Sequence, residues 1–362
     1  MTLPVRNTLG ESQAPAGRGE GPEPQLLEQA STAGVPGIGH DEGTRAVVKL
    51  REGLAQGLLV VIPHDADLPT AMVRPAANRY GRAMTTSLRI LVSADMEGIS
   101  GIVHPAETQP GALDYERGRV LMTAEVNAVI AGIMDVVPAA AVTVADAHGT
   151  FRNILPDTLD RRVSLVRGRP RPGGMMAGLD GTTDAVMFVG YHGRAGSGPA
   201  VLAHTMSPML LDVRLNGQPV GEIGANAFLA GHHGAPVVFL SGDALACEEL
   251  TELVPGAVTV AVKEAFGQAS ARTRHPELAR EQIREAAATA VRRIDQVHPV
   301  VAEGPVELEM DLYRPHVVDL ASLIPGVVRR DGARTIAFTA RDTAEAYRVI
   351  ELVTALGQID VG

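Results

Sequence analysis

Short, wholly apolar runs alternate along this chain with longer stretches in which apolar residues recur every three or four positions. Arg89–Ala94 reads "RILVSA", Val142–Ala145 "VTVA", Ala185–Val189 "AVMFV" and Val237–Leu240 "VVFL". Uninterrupted runs of this length predict strands covered on both faces. Between the first two, Tyr115–Asp135 carries its apolar residues at helical spacing. The alternation predicts an α/β fold, a largely parallel sheet flanked by helices. From Val258 the pattern changes. The stretch "PELAREQIREAAATAVRRI" sets Pro276 in the first turn of a helix, where a missing N–H costs nothing, and Val306–Met310 and Arg334–Thr339 then read as strands. The expected division is an α/β domain over residues 88–257 and a smaller C-terminal α+β lobe over residues 258–362.

Upstream of Leu88 the patterning is absent. Residues 1–43 mix Gly and Pro with Ser, Glu, Gln and Ala, and residues 44–83 hold one apolar piece, "GLLVVIP". Such a mixture buries too little apolar surface to offset chain entropy, so residues 1–83 are expected to be a disordered extension. Because regular patterning starts just after Met84, that methionine is the expected start of the folded protein.

Composition narrows the function classes. With 45% hydrophobic residues in 362, the chain is long enough to bury a substantial core. The formal net charge is -10, from 32 Lys plus Arg against 42 Asp plus Glu, and no basic stripe runs along the sequence. That excludes nucleic acid as an expected partner. The absence of Trp and an aromatic content of 3% argue against base stacking and point to small, polar substrates. The single cysteine, Cys247, permits neither an internal disulfide nor a thiolate zinc cluster. It sits in "DALACEEL", an amphipathic helical pattern, as a small buried residue without a role. No run approaches the ~20 apolar residues of a membrane span, and no basic segment followed by an apolar core opens the sequence. The expected location is cytoplasmic, with no membrane partner.

The chemistry concentrates where the strands end. "SADMEG" follows the first strand, and period-two alternation puts Asp95 and Glu97 on one face at its carboxyl end. Two like charges in one small space call for a cation, a proton or water. The pair therefore marks a metal site or a solvated loop. "TVADAHGT" sets His148 beyond the second strand, and "MFVGYHGRAG" sets His192 beyond the third. Ligands of open α/β sheets collect outside such carboxyl ends. "AHTMSP" adds His204, and "GQPVGEIGANA" adds Glu222 at a helix start. Taken singly, these are a turn histidine, a loop histidine, a satisfied polar residue and an acid favoured by a helix dipole. Taken together, they are the imidazoles and carboxylates a dinuclear zinc site needs. His232 and His233 lie at a helix C-terminus, where histidine is favoured in any case, and the remaining histidines fall in loops or the N-terminal segment.

In this order, "SADMEGISG", "YERGR" with "MTAEVNA", "ADAHG", "FVGYHGRA", "AHTM" and "VGEIGANA" resemble the zinc-dependent D-aminopeptidase family of bacterial dipeptide-transport operons (DppA-like). The resemblance runs from about Leu88 to the C-terminus and is densest before Val262. It implies two Zn2+ per subunit, with Asp95 bridging, Glu97 and His148 completing one ion, and His192 and Glu222 the other. His204 matches the catalytic histidine and carries no metal. The implied substrates are short peptides with an N-terminal D-amino acid, attacked by water that the metals activate. The implied assembly is a homo-oligomer, a decameric ring around an inner chamber. The D-preference rests wholly on the resemblance. The residues themselves leave two other readings open, a dinuclear metallophosphoesterase and a non-catalytic peptide-binding module of a transport system.

Overall fold

The computed structural model describes residues 88–330 and 332–359, all within the unit Leu68–Gly362. The extension expected over residues 1–83 lies outside the described residues. In chain order the elements are β1 (Arg89–Ala94), α1 (Tyr115–Val136), β2 (Ala141–Asp146), β3 (Ser164–Val166), β4 (Ala185–Tyr191), β5 (Leu210–Leu215) and β6 (Gln218–Pro219). There follow α2 (Glu222–His232), β7 (Val237–Asp243), α3 (Ala244–Leu253), β8 (Val258–Gly267), β9 (Ser270–Thr273) and α4 (Pro276–Arg292). The chain continues with β10 (Val306–Leu312), α5 (Pro315–Ala321), β11 (Val328–Arg329), β12 (Thr335–Ala340) and α6 (Thr343–Leu356).

The larger sheet runs β3-β2-β1-β4-β7-β8-β9, parallel except for the edge pair β8 and β9. Its central strands β4 and β7 are buried at every position. Helices covering both faces account for their unbroken apolar runs. On α1, Met122, Val126, Val129, Ile130 and Ile133 are buried at the spacing of one helical face. α4 packs against α1 with Ile283, Ala287 and Ala290 buried, after His275 caps its first turn by accepting from Glu277 N. The α/β architecture with a mostly parallel sheet is as the apolar runs foretold.

The smaller sheet, β11-β12-β10-β5-β6, is antiparallel. β10 alternates buried and less buried positions, the pattern of a sheet with a single packed face. The expected boundary at residue 257 does not coincide with the sheets. β8, β9 and α4 follow it yet belong to the larger layer, whereas β5 and β6 precede it and join the smaller sheet, β5 pairing with β10 and β6 with β5. Strand pairing so distant in sequence is set by packing, which local pattern does not report.

β1 holds the key topological position. It pairs with β2 on one side and β4 on the other, so the chain first builds outward through β2 and β3 and then returns to β4, β7 and β8. Where the build direction reverses, a crevice opens outside the carboxyl ends of the strands.

Candidate active site

All six residues singled out by pattern converge in that crevice. Asp95 and Glu97 follow β1, His148 follows β2, His192 follows β4, Glu222 opens α2 and His204 lies in the loop between β4 and β5. One expectation needs correction. β1 ends at Ala94, so Asp95 and Glu97 are brought together by a turn and not by the pleat of a strand. Asp95 N still donates to Val189 O at 2.8 Å, while Met96 N folds back onto Asp95 Oδ1 at 2.8 Å. That turn packs backbone on backbone. Gly98 N donates to Gly190 O at 2.7 Å, and a Cβ at Gly98 would sit 1.9 Å from Tyr191 O. Gly190, at φ +70°, meets the same constraint from the other side, its Cβ position being 2.3 Å from Asp95 O. The glycines of "SADMEG" and "FVGYHG" thus let the loops bearing Asp95 and His192 touch.

The imidazoles define the chemistry. His148 Nε2 donates to Thr108 O at 2.9 Å, which turns Nδ1 toward Asp95 Oδ1 at 3.2 Å and Glu97 Oε2 at 2.9 Å. His192 Nδ1 donates to Gly193 O at 3.0 Å, leaving Nε2 between Asp95 Oδ2 at 3.3 Å and Glu222 Oε2 at 3.5 Å. His204 Nδ1 donates to Leu202 O at 2.9 Å and its Nε2 faces Glu222 Oε1 at 3.7 Å, the ring stacked on His192 at 4.5 Å. A carbonyl only accepts, so each ring spends its N–H there and presents a lone pair to carboxylates. Lone pair against lone pair is repulsive unless a cation or a proton lies between. His192 Nε2 and Glu97 Oε2 are buried without a hydrogen-bond partner among the described residues. Ligand atoms of Asp95, Glu97 and His192, and likewise of His192, His204 and Glu222, all lie within 4.8 Å of one another. The donor set fits zinc.

Electrostatics agree. Burial and the neighbouring Glu97 and Glu222 carboxylates push Asp95 up to about 6. Burial would also raise Glu97 and Glu222, but His148 holds the former well below the usual range and His192 holds the latter at about 2. Burial lowers His148 and His192, and this is outweighed by Glu97 and Glu222 respectively, which raise both well above 6.5. Without metal, the cluster therefore retains protons where cations belong.

The supporting residues went unmarked in the sequence. Ser93 and Tyr191 hydroxyls lie 2.8 Å apart, Asn226 Nδ2 donates to Tyr191 Oη at 2.9 Å, and Tyr347 Oη donates to Asn226 Oδ1 at 2.8 Å. This buried chain joins β1, β4, α2 and α6 behind Asp95, His192 and Glu222. Lys263 Nζ donates to the carbonyls of Glu97, Ile99 at 2.8 Å and Ile102 at 2.5 Å, clamping the acidic turn. The available signals were Asn226, one turn after Glu222 on an otherwise small and apolar helix, and a lone lysine inside "VTVAVKEAFG". Cys247 is buried on α3 and pushed up to about 12 by that burial, consistent with inertness.

Comparison with known proteins meets the same site from another direction. The model of a family described as D-aminopeptidase matches residues 88–352. A D-aminopeptidase of Bacillus subtilis (strain 168) is 34% identical over 269 residues, spanning 74% of this chain and 97% of the relative. A solved structure, the Zn-dependent D-aminopeptidase DppA from Bacillus subtilis, described as a self-compartmentalizing protease, superposes with a TM-score of 0.73 at 32% identity. It covers 76% of this chain and 100% of its own. With its pattern, fold and family match in agreement, the chain belongs to the D-aminopeptidase family of hydrolases.

Proposed function

We propose that the protein is a dinuclear zinc aminopeptidase that removes D-amino acids from short peptides, working as a cytoplasmic homo-oligomer, a decameric ring. The observation that carries the metal reading is the set of three imidazoles, each with one nitrogen spent on a carbonyl and the other aimed at carboxylates. Asp95, Glu97 and His148 would hold one ion, and Asp95, His192 and Glu222 the other. In support, the two Asp95 oxygens serve different histidines, Oδ1 facing His148 and Oδ2 facing His192. When bound, such ions supply Lewis-acid chemistry, polarising a carbonyl and lowering the pKa of water to about 7.

The chain's own groups do the rest. The Thr108 and Gly193 carbonyls fix the tautomers of His148 and His192, so neither ring turns away when a ligand leaves. His204 is the more open imidazole, its side chain 22% exposed against 1% for His192. From that position the Nε2 lone pair can accept a proton and pass it to the departing amine, or, once protonated, donate to the developing oxyanion. Zinc and the D-amino acid are supported by the relatives named above, and the ring by the self-compartmentalizing character of DppA. A closed chamber admits short peptides only.

Two variants test the roles. Asp95→Ala removes a ligand shared by both ions, and we expect zinc and hydrolysis to disappear together. His204→Ala is expected to keep two zincs per chain while kcat falls roughly 100-fold or more. Zinc loss in the second variant would make His204 a ligand, as its closeness to His192 and Glu222 allows. Two retained zincs with full activity in Asp95→Ala would contradict the bridge.

A further inference from the structure

The carboxylate cluster opens into a cavity of about 1280 Å3, whose wall includes Phe151, Arg169 and Arg171 as well as Glu97, His148 and His204. Three residues after His148 the backbone turns left-handed at Phe151, φ 58°, a conformation that costs energy for an aromatic residue. Its neighbours hold it there. Phe151 N donates to His148 O at 2.7 Å and Gly168 N donates to Phe151 O at 2.5 Å. The Arg171 guanidinium lies 4.1 Å from the ring centroid, with that of Arg169 at 6.0 Å.

Arg171 is fixed by backbone carbonyls. Nε donates to Gly174 O at 2.9 Å, Nη1 to Val166 O at 3.1 Å and Nη2 to Asp146 O at 2.6 Å. All three acceptors are neutral carbonyls. The Asp146 carboxylate is taken up by Asn153 N, Asn153 Nδ2 and Ile154 N at 2.5, 2.8 and 2.8 Å. Among the described residues no carboxylate is in ion-pair contact with Arg171. Asp146 and Glu351 act on its charge without contact, and Glu351, on the same cavity wall, is pushed up to about 6 by burial against the pull of Arg171. Burial also holds Arg171 below the usual guanidinium value. A half-buried, immobilised cation facing a cavity calls for an anion, and a guanidinium fork suits a carboxylate.

We propose that Arg171, with Arg169 across the same Phe151 ring, binds the C-terminal carboxylate of the peptide, so that these two residues set the preference for a free acid over its amide. The inference rests on the aminopeptidase reading and deepens it. Arg171 Nη2 bonds the backbone two residues before His148, so the guanidinium and the carboxylate cluster lie at the same end of β2 and line one cavity. The peptide's amino end meets the metal cluster and its carboxylate meets the guanidinium, so chain length and charge are read together.

The test compares D-Ala-D-Ala with its C-terminal amide on the zinc-loaded full chain, with D-Ala-p-nitroanilide as a substrate lacking any carboxylate. We expect the free acid to be favoured at least roughly tenfold in kcat/KM, mostly through KM, as suits one charge-assisted contact. Arg171→Gln should bring the acid-to-amide ratio close to one, and Arg171→Lys should restore part of it. Arg169→Glu, at an exposed position where folding is not at stake, should lower the ratio several-fold. Equal rates on acid and amide in the unaltered enzyme overturn the proposal. So does a ratio unchanged in Arg169→Glu, or a proportional loss on both substrates in Arg171→Gln. Failure to hydrolyse all three substrates would instead count against the aminopeptidase reading.

Discussion

At the scale of single residues the site is a set of charges that a cation or a proton must reconcile, and its proton chemistry makes this measurable. His148 and His192 are raised well above 6.5, so in the metal-free protein both imidazoles are protonated at neutral pH. Zinc must displace those protons, so binding at pH 7 should release them and tighten as pH rises. The same groups set stability. A histidine raised on folding lends stability that is complete below its unfolded value, about 6.5, and lost as pH climbs through the folded value. Asp95, raised from 3.8 to about 6, acts in the same direction. Glu222, lowered from 4.5 to about 2, acts oppositely, its contribution being present above 4.5 and lost only as pH falls toward 2. Chelated protein should therefore lose thermal stability from pH 6.5 into the alkaline range, while zinc-loaded protein holds its Tm. A Tm of chelated protein that climbs through that window would contradict the raised histidines. The six residues were legible in the sequence because each stands at an element end beside glycine or another small residue, a local signature. Their partners were not. Tyr191 and Asn226 meet only in space, and nothing near Arg171 in sequence announces that backbone carbonyls hold its fork.

At the scale of elements, the close approach of two loops decides whether the ligands meet. Gly98 and Gly190 allow the turn after β1 to lie on the end of β4, with Gly98 N bonded to Gly190 O at 2.7 Å. A methyl at position 98 would stand 1.9 Å from Tyr191 O, which is backbone and has no room to yield. We expect Gly98→Ala to separate Asp95 from His192 and to weaken zinc binding at least roughly tenfold, read by competition with a chromophoric chelator. Unchanged zinc affinity would show that the loops move without cost to the site. The elements also mark the limit of what pattern reveals. β1, β4 and β7 were legible because strands buried on both faces carry unbroken apolar runs. β5 and β6 were not assigned to the smaller sheet, since β10, the strand that ties β5 into it, lies about ninety residues onward, Leu215 pairing with Leu308.

At the scale of the whole molecule, a doubly built sheet carries the site at its switch point, and α6 is tied to α2 behind it through Tyr347 and Asn226. The family match begins at residue 88, and every residue placed in the site lies beyond that point. A chain started at Met84 should accordingly fold, bind zinc and hydrolyse peptide like the full chain. Insoluble or inactive protein from that start would assign the first 83 residues a part in the fold or the assembly. The central claim is that two ions, held by one bridging carboxylate, perform D-aminopeptidase chemistry. Its most direct test is a titration of chelator-stripped protein with Zn2+, following hydrolysis of D-Ala-D-Ala against that of L-Ala-L-Ala as metal is added. The account predicts D-selective activity that rises to a plateau at two equivalents of zinc per chain; a plateau at one equivalent, or no D-selective hydrolysis at any zinc level, would contradict it.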